Sequence, residues 1–152
     1  VERYEVEKSL GFLLAKTHQY FSSFFKEKLN KYSLTPPQFA MLAFLWKRDG
    51  LSQIQLGNCM NTDRTTISGI VDRLEKDGLV TRRRDPEDRR TYLINLTPRA
   101  FALQDEMEEM ATQAKYEVTA MLSDGEKEQL ERILRKILDA AAATRGCWSP
   151  SK

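Results

Sequence analysis

The sequence predicts a mainly α-helical chain with one small β-hairpin, and three observations predict it. Apolar residues recur at three- and four-residue spacing along most of its 152 residues. Three capping boxes punctuate that pattern: Thr35-Pro-Pro-Gln38, Ser52-x-x-Gln55 and Ser123-x-x-Glu126. Between them, Tyr92, Ile94 and Leu96 alternate as in a half-buried strand, just after the turn chemistry of Asp85-Pro86-Glu87-Asp88.

The elements follow in order. A long first helix is expected from about Glu5 to Lys31, with a stripe of Val6, Leu10, Leu13, Thr17, Phe21 and Phe24 widened by Leu14, Phe25 and Leu29. A helix this apolar on more than one side is buried on more than one side. Thr35 opens the second helix, with Pro at its start and Phe39, Met41, Leu42, Leu45 and Trp46 along it; Asp49-Gly50 stops it. Ser52 opens a short third helix with Ile54 and Leu56, and Asn61 and Thr62 fall in the turn that follows. A fourth helix is expected with Thr62 as N-cap and Asp63 in its first turn, where the helix dipole favours negative charge. Ile67, Ile70, Val71 and Leu74 form its apolar stripe, and Asp77-Gly78 ends it with Gly in the left-handed position. Leu79 to Arg84 and Tyr92 to Leu96 make the hairpin. Thr97-Pro98 starts a helix to about Leu122, with Leu103, Met107, Met110, Ala114, Val118 and Met121 on one side. The last helix carries Leu130, Ile133, Leu134, Ile137, Leu138 and Ala141, and residues 146–152 read as a flexible tail.

Short helix, turn, polar-faced helix and basic hairpin together describe a winged helix-turn-helix core flanked by long helices. The outward face of the fourth helix carries Arg64, Thr65, Thr66, Ser68, Gly69, Asp72, Arg73 and Lys76. Hydroxyls and Arg near a helix N-terminus suit base edges in the major groove: Arg pairs bidentately with guanine and the Thr methyl meets thymine. Polar faces are also what solvated helices show, so the hairpin decides. Arg82, Arg83, Arg84, Arg89 and Arg90 flank one turn, a pattern that fits phosphate and minor-groove contact. The DNA-binding set is therefore Arg64, Thr65, Thr66, Ser68 and Arg73 on the helix, with Arg82, Arg84, Asp88, Arg89 and Arg90 on the wing. Asp88 is expected to brace an arginine, since an unpaired acid there would repel phosphate. The competing reading is a winged-helix protein-interaction module, for which a basic tip has no use.

The run DRTTISGIVDRLEKDGLVTR from Asp63, the wing DPEDRRTYLINLTP with Asp88 and Arg90, LTPPQFAMLAFL at Leu34 to Leu45 and SLGFLLAKTHQ at Ser9 to Gln19 resemble the MarR family of bacterial transcriptional regulators. The resemblance covers about residues 5 to 143, with one departure at Ala100, where the family often has Gly. It implies a homodimer and a small aromatic or phenolic effector bound between dimerisation helices and the DNA-binding lobe; Thr17, His18, Phe21, Phe39 and Met110 are the candidates for that site. Dimerisation is also expected from the apolar stripes themselves, which a winged-helix core at 34–97 leaves uncovered. The dimerisation region is then 1–33 with 98–145, and its interface includes Leu10, Leu13, Leu130, Leu134 and Ile137. A symmetric dimer suits a pseudo-palindromic operator with half-sites about one helical turn apart, and the expected activity is that of a ligand-responsive repressor.

Composition narrows the rest. Lys and Arg number 24 against 22 Asp and Glu, so the basic character needed for DNA is local to the wing. No apolar run approaches the roughly 18 residues of a membrane span, and the charged start VERYEVEK has no signal-peptide pattern. Two cysteines, Cys59 and Cys147, make no disulfide framework, which fits a reduced cytoplasm. The peroxide-sensing branch of the resembled family carries its reactive Cys in the first-helix region, where this chain has none. A single histidine, His18, argues against a metal site or a catalytic triad, so no catalytic residue, metal or cofactor is expected.

Overall fold

Side-chain caps set where the helices begin. A computed structural model describes residues 1–145. Its helices are α1 (Leu10–Leu29), α2 (Pro36–Lys47), α3 (Gln53–Met60), α4 (Arg64–Lys76), α5 (Pro98–Ala102), α6 (Gln104–Val118) and α7 (Asp124–Arg145). Strands β1 (Leu51–Ser52), β2 (Val80–Arg84) and β3 (Tyr92–Leu96) form an antiparallel sheet in the order β1-β3-β2. All three capping boxes form: Thr35 with Gln38, Ser52 with Gln55, and Ser123 with Glu126.

The core lies between α2, α3, α4 and the sheet. Met41, Leu42, Leu45, Leu56, Ile67, Val71, Leu74 and Ile94 are fully buried there, together with Leu29 from α1 and Met107 from α6. Two glycines sit where the backbone is tight or reverses. A Cβ on Gly57 would lie 3.0 Å from the Thr62 carbonyl, so a larger residue there would push on the α3–α4 turn. Gly78 holds φ 73° and accomplishes the reversal from α4 into β2. The end of α1 is tied to α6 by Glu106, whose Oε1 accepts from Lys31 Nζ at 2.7 Å and from the Tyr32 hydroxyl at 2.9 Å. Those hydrogen bonds hold the Glu106 carboxyl below its ordinary range. α7 is joined to α6 by the Lys115–Glu131 ion pair at 2.5 Å.

The terminal helices leave much apolar surface open. Leu10 is 70% exposed and Ile137 49%, and Leu13, Leu14, Ile133, Leu134 and Leu138 are also exposed; Leu130 is half-buried. One chain exposes 11100 Å², whereas a self-contained globule of 17.6 kDa exposes roughly 7,900 Å².

Several local expectations are corrected. The first helix does not run unbroken from Glu5: a 3-10 turn at Val6–Lys8 ends at Ser9, whose Oγ caps α1, and a second at Asn30–Tyr32 closes it. The N-cap of α4 is Asp63, not Thr62; the Thr62 hydroxyl donates back to the Met60 carbonyl and so serves the turn. The helix expected from Thr97 to Leu122 breaks at Leu103, where α5 hands over to α6. β1 has no signature in the sequence, because two residues carry no periodicity; it exists through pairing with β3. The expected tail at 146–152 lies outside the described residues.

Candidate nucleic-acid interface

α4 is held from beneath and from its first turn. Ile67, Val71 and Leu74 anchor it in the core. Asp63 caps it, accepting from the Thr66 amide at 3.0 Å and the Thr66 hydroxyl at 2.7 Å. These hydrogen bonds hold the Asp63 carboxyl below its ordinary range. The Thr66 hydroxyl proton is thereby committed to the cap, leaving its oxygen as an acceptor. Arg64, Thr65, Gly69 and Lys76 remain on the exposed face, and neither Arg64 nor Lys76 has an ion pair among the described residues. Arg73 lies 3.6 Å from Asp77.

The wing tip is closed by its own acids. The Asp85 amide donates to the Thr91 carbonyl and the Thr91 amide to the Asp88 carbonyl, both at 2.9 Å. Asp85 Oδ1 accepts from the Glu87 amide, and Asp88 accepts from the Arg90 amide at 3.1 Å and the Thr91 hydroxyl at 3.1 Å. The Arg90 guanidinium is 4.0 Å from Asp88 and 98% exposed. Asp88 thus sets the turn from which Arg90 projects and touches the guanidinium only at the edge of ion-pair distance.

The five wing arginines separate into two groups. Arg89 and Arg90 project from the tip. Arg84 donates to the Arg89 carbonyl at 2.5 Å and stacks over the Tyr92 ring at 4.8 Å, and Arg83 donates to Asn95 at 2.9 Å. Arg82, grouped with the DNA-facing arginines on sequence, turns into the protein. Its side chain is 17% exposed and meets Asp72 at 2.5 Å, Gln53 at 2.9 Å and the Ser68 carbonyl at 3.1 Å. Ser68 Oγ also accepts from Arg82, at 3.3 Å, so both residues are engaged with each other.

A second feature is a cleft of about 800 Å³ between α1, the start of α2 and the end of α3. His18, Ser22 and Lys26 form one wall, with His18 Nε2 and Ser22 Oγ 3.3 Å apart; Pro36, Ala40, Phe44 and Met60 form the other. Of the five residues expected to line an effector site, only His18 borders this cleft. Thr17 and Phe21 sit about 100° around α1 from His18 and Ser22. Phe39 packs edge-on against Trp46 and the core, and Met110 packs against the core from α6. The sequence signal that was missed is the polar line His18, Ser22, Lys26 at four-residue spacing in an apolar helix. Cys59, half-buried, borders the same cleft; Cys147 lies outside the described residues. Among the described residues no His, Cys, Asp and Glu cluster could hold a metal ion, and no helix is long and apolar enough to cross a membrane.

Residues 34–92 match the model of the MarR family. The HTH-type transcriptional repressor NicR of Pseudomonas putida is 34% identical over 137 residues, covering 90% of this chain and 87% of NicR. The chain belongs to the MarR family. Its solved structural relatives include BpsR of Bordetella bronchiseptica, whose DNA binding is regulated by 6-hydroxynicotinic acid: TM-score 0.85, 29% identity, 91% of this chain and 99% of BpsR covered. PcaV of Streptomyces coelicolor, solved with its natural ligand, gives a TM-score of 0.80 at 26% identity, with 93% and 99% covered. MarR-family proteins are DNA-binding transcriptional regulators rather than enzymes, and this chain is one of them. The match at 34–92 spans α2, α3, α4 and β2, the elements that present the polar helix face and the wing; the similarity to NicR and BpsR extends to the terminal helices.

Proposed function

We propose that this MarR-family regulator is a homodimeric repressor that reads a pseudo-palindromic operator and releases it when a small aromatic acid occupies the α1–α2 cleft. One observation carries the DNA-reading surface: among the described residues Arg64 and Lys76 on α4 and Arg89 at the wing tip are exposed cations without an ion pair, and the nearest acid to the Arg90 guanidinium is Asp88 at 4.0 Å. Arg64, Thr65 and Thr66 would read base edges, Arg73 a phosphate, and Arg89 and Arg90 the neighbouring minor groove. The dimer is supported by the open apolar stripes on α1 and α7 and by the surface in excess of a self-contained globule. On this reading residues 1–33 and 98–145 serve dimerisation, 34–97 serve DNA, and the protein works in the cytoplasm beside the chromosome.

Gly69 offers an independent check. It lies inside α4, where Gly costs roughly 0.5–1 kcal/mol relative to Ala. A Cβ there would meet nothing within 4 Å, so nothing inside the chain demands glycine. The demand then comes from outside, from close approach of the DNA. Gly69→Ala is expected to raise the melting temperature and weaken operator binding together. Unchanged or tighter binding would remove the close-approach role.

The cleft chemistry supports the effector class. Lys26 offers a cation for a carboxylate, His18 and Ser22 offer donors and acceptors for a ring substituent, and Phe44 and Met60 offer apolar walls for the ring. A ligand that prefers a lobe spacing different from the about 34 Å demanded by successive major grooves lowers operator affinity by its differential affinity for the two states. Reciprocity requires operator DNA to weaken ligand binding by the same factor. The test is calorimetric titration of 6-hydroxynicotinate and 4-hydroxybenzoate into the protein, alone and saturated with an operator selected by the protein from random duplexes. At least one acid is expected to bind, more weakly to the complex. No binding by either, or equal affinities in both states, would overturn the effector reading.

A further inference from the structure

The most heavily engaged arginine of the DNA-binding half does not reach its surface. The Arg82 guanidinium has five N–H donors, and five acceptor atoms meet it: Gln53 Oε1 at 2.9 Å, Asp72 Oδ1 at 2.5 Å, Glu75 Oε1 at 3.4 Å, and the Ser68 carbonyl and Oγ at 3.1 and 3.3 Å. Its backbone amide adds a hydrogen bond to Glu75 Oε2 at 3.2 Å. One side chain of β2 therefore grips α4 along two turns and the first residue of α3.

Its place in the sheet gives this grip leverage. β1 pairs with β3 only at Leu93 and Ile94. Arg82 is opposite Ile94, which is fully buried. Beyond Arg83 and Leu93 the wing is a bare two-stranded ribbon, a structure of marginal stability by itself. Arg82 is thus one register position inside the end of the three-stranded part, and any rotation there is carried out along the ribbon to Arg90.

We propose that Arg82 is a positioning residue for DNA recognition, fixing the angle between the wing and α4 without touching DNA. The proposal rests on the DNA-reading surface described above. Two carboxylates converge on it, so the fork geometry matters and not only the charge; Lys supplies a point cation that cannot span Gln53, Asp72 and Ser68 together. Asp72 is a partner in the same device. It is an exposed acid on the DNA-reading helix, which pure charge repulsion would make a liability.

The test uses the full chain, an operator selected by the wild-type protein from random duplexes, and the variants Arg82→Lys, Asp72→Asn, Arg90→Ala and their pairs. Melting curves first establish the temperature at which every variant is folded. Arg82→Lys is expected to weaken operator binding on the order of tenfold. Asp72→Asn is expected to weaken it as well, although it removes a negative charge, and the double variant should be no weaker than the worse single. In an Arg90→Ala background the Arg82→Lys effect should largely vanish, because the tip contact it serves is already gone. Without DNA, amide exchange at 85–92 should quicken in Arg82→Lys while α2 keeps its protection. Wild-type-like affinity of Arg82→Lys would make Arg82 a simple cation and overturn the proposal, as would tighter binding by Asp72→Asn. If the wild-type chain selected no sequence at all, the DNA-reading surface would fall and this proposal with it; selective wild-type binding with additive Arg82 and Asp72 effects would overturn the positioning role alone.

Discussion

Replacing Ile137 by Glu is expected to split the dimer and reduce operator affinity roughly 10²- to 10⁴-fold while each chain stays folded. Within one chain Ile137 is half-exposed on α7, in line with Leu130, Ile133 and Leu134, so a Glu there reaches water and disturbs no intrachain packing. Across an interface the same carboxylate would be buried without a partner, which costs several kcal/mol. The reading helices are untouched, so the loss of affinity would come from losing the second half-site. Sedimentation and gel shift on the same samples check this. A wild-type chain that sediments as a monomer at micromolar concentration would end the dimer reading, and an Ile137→Glu chain that stays dimeric would remove α7 from the interface.

Arg64→Ala is expected to weaken operator binding by about 1–3 kcal/mol and to relax base preference at one position in each half-site. Arg64 is the first residue of α4, exposed and without an ion partner among the described residues. The Asp63 cap beside it is satisfied by Thr66 and makes no claim on the guanidinium. A base contact would leave affinity for random duplexes nearly unchanged. Equal losses on operator and random DNA would instead assign Arg64 to the phosphate backbone.

Much of the fold was legible because its signals are local. A capping box satisfies backbone donors within one helical turn, so Thr35, Ser52 and Ser123 could mark helix starts from sequence. The same holds for Gly78, whose positive φ ends α4, and for the apolar stripe of Ile67, Val71 and Leu74. Errors arose where two local signals were equivalent. Thr62 and Asp63 are both good N-caps, and the choice fell to Asp63 because the α3–α4 turn uses the Thr62 hydroxyl itself. At Leu103 no Pro or Gly announces the break between α5 and α6.

The sequence by itself determined the capped starts of α2, α3 and α7, the polar face of α4 and the basic hairpin that follows it, because each depends on residues within a few positions of one another. Only the tertiary structure decided which arginines of that hairpin remain available to DNA. Arg82 and Arg84 look alike in the chain, yet the partners of Arg82 come from Gln53, Ser68, Asp72 and Glu75, between 7 and 29 residues away. Packing likewise decided that the His18 side of α1, and not the Phe21 side, lines the cleft. Periodicity records which side of an element is apolar; it does not record what the fold brings against each side, and the destination of a long charged side chain depends on that.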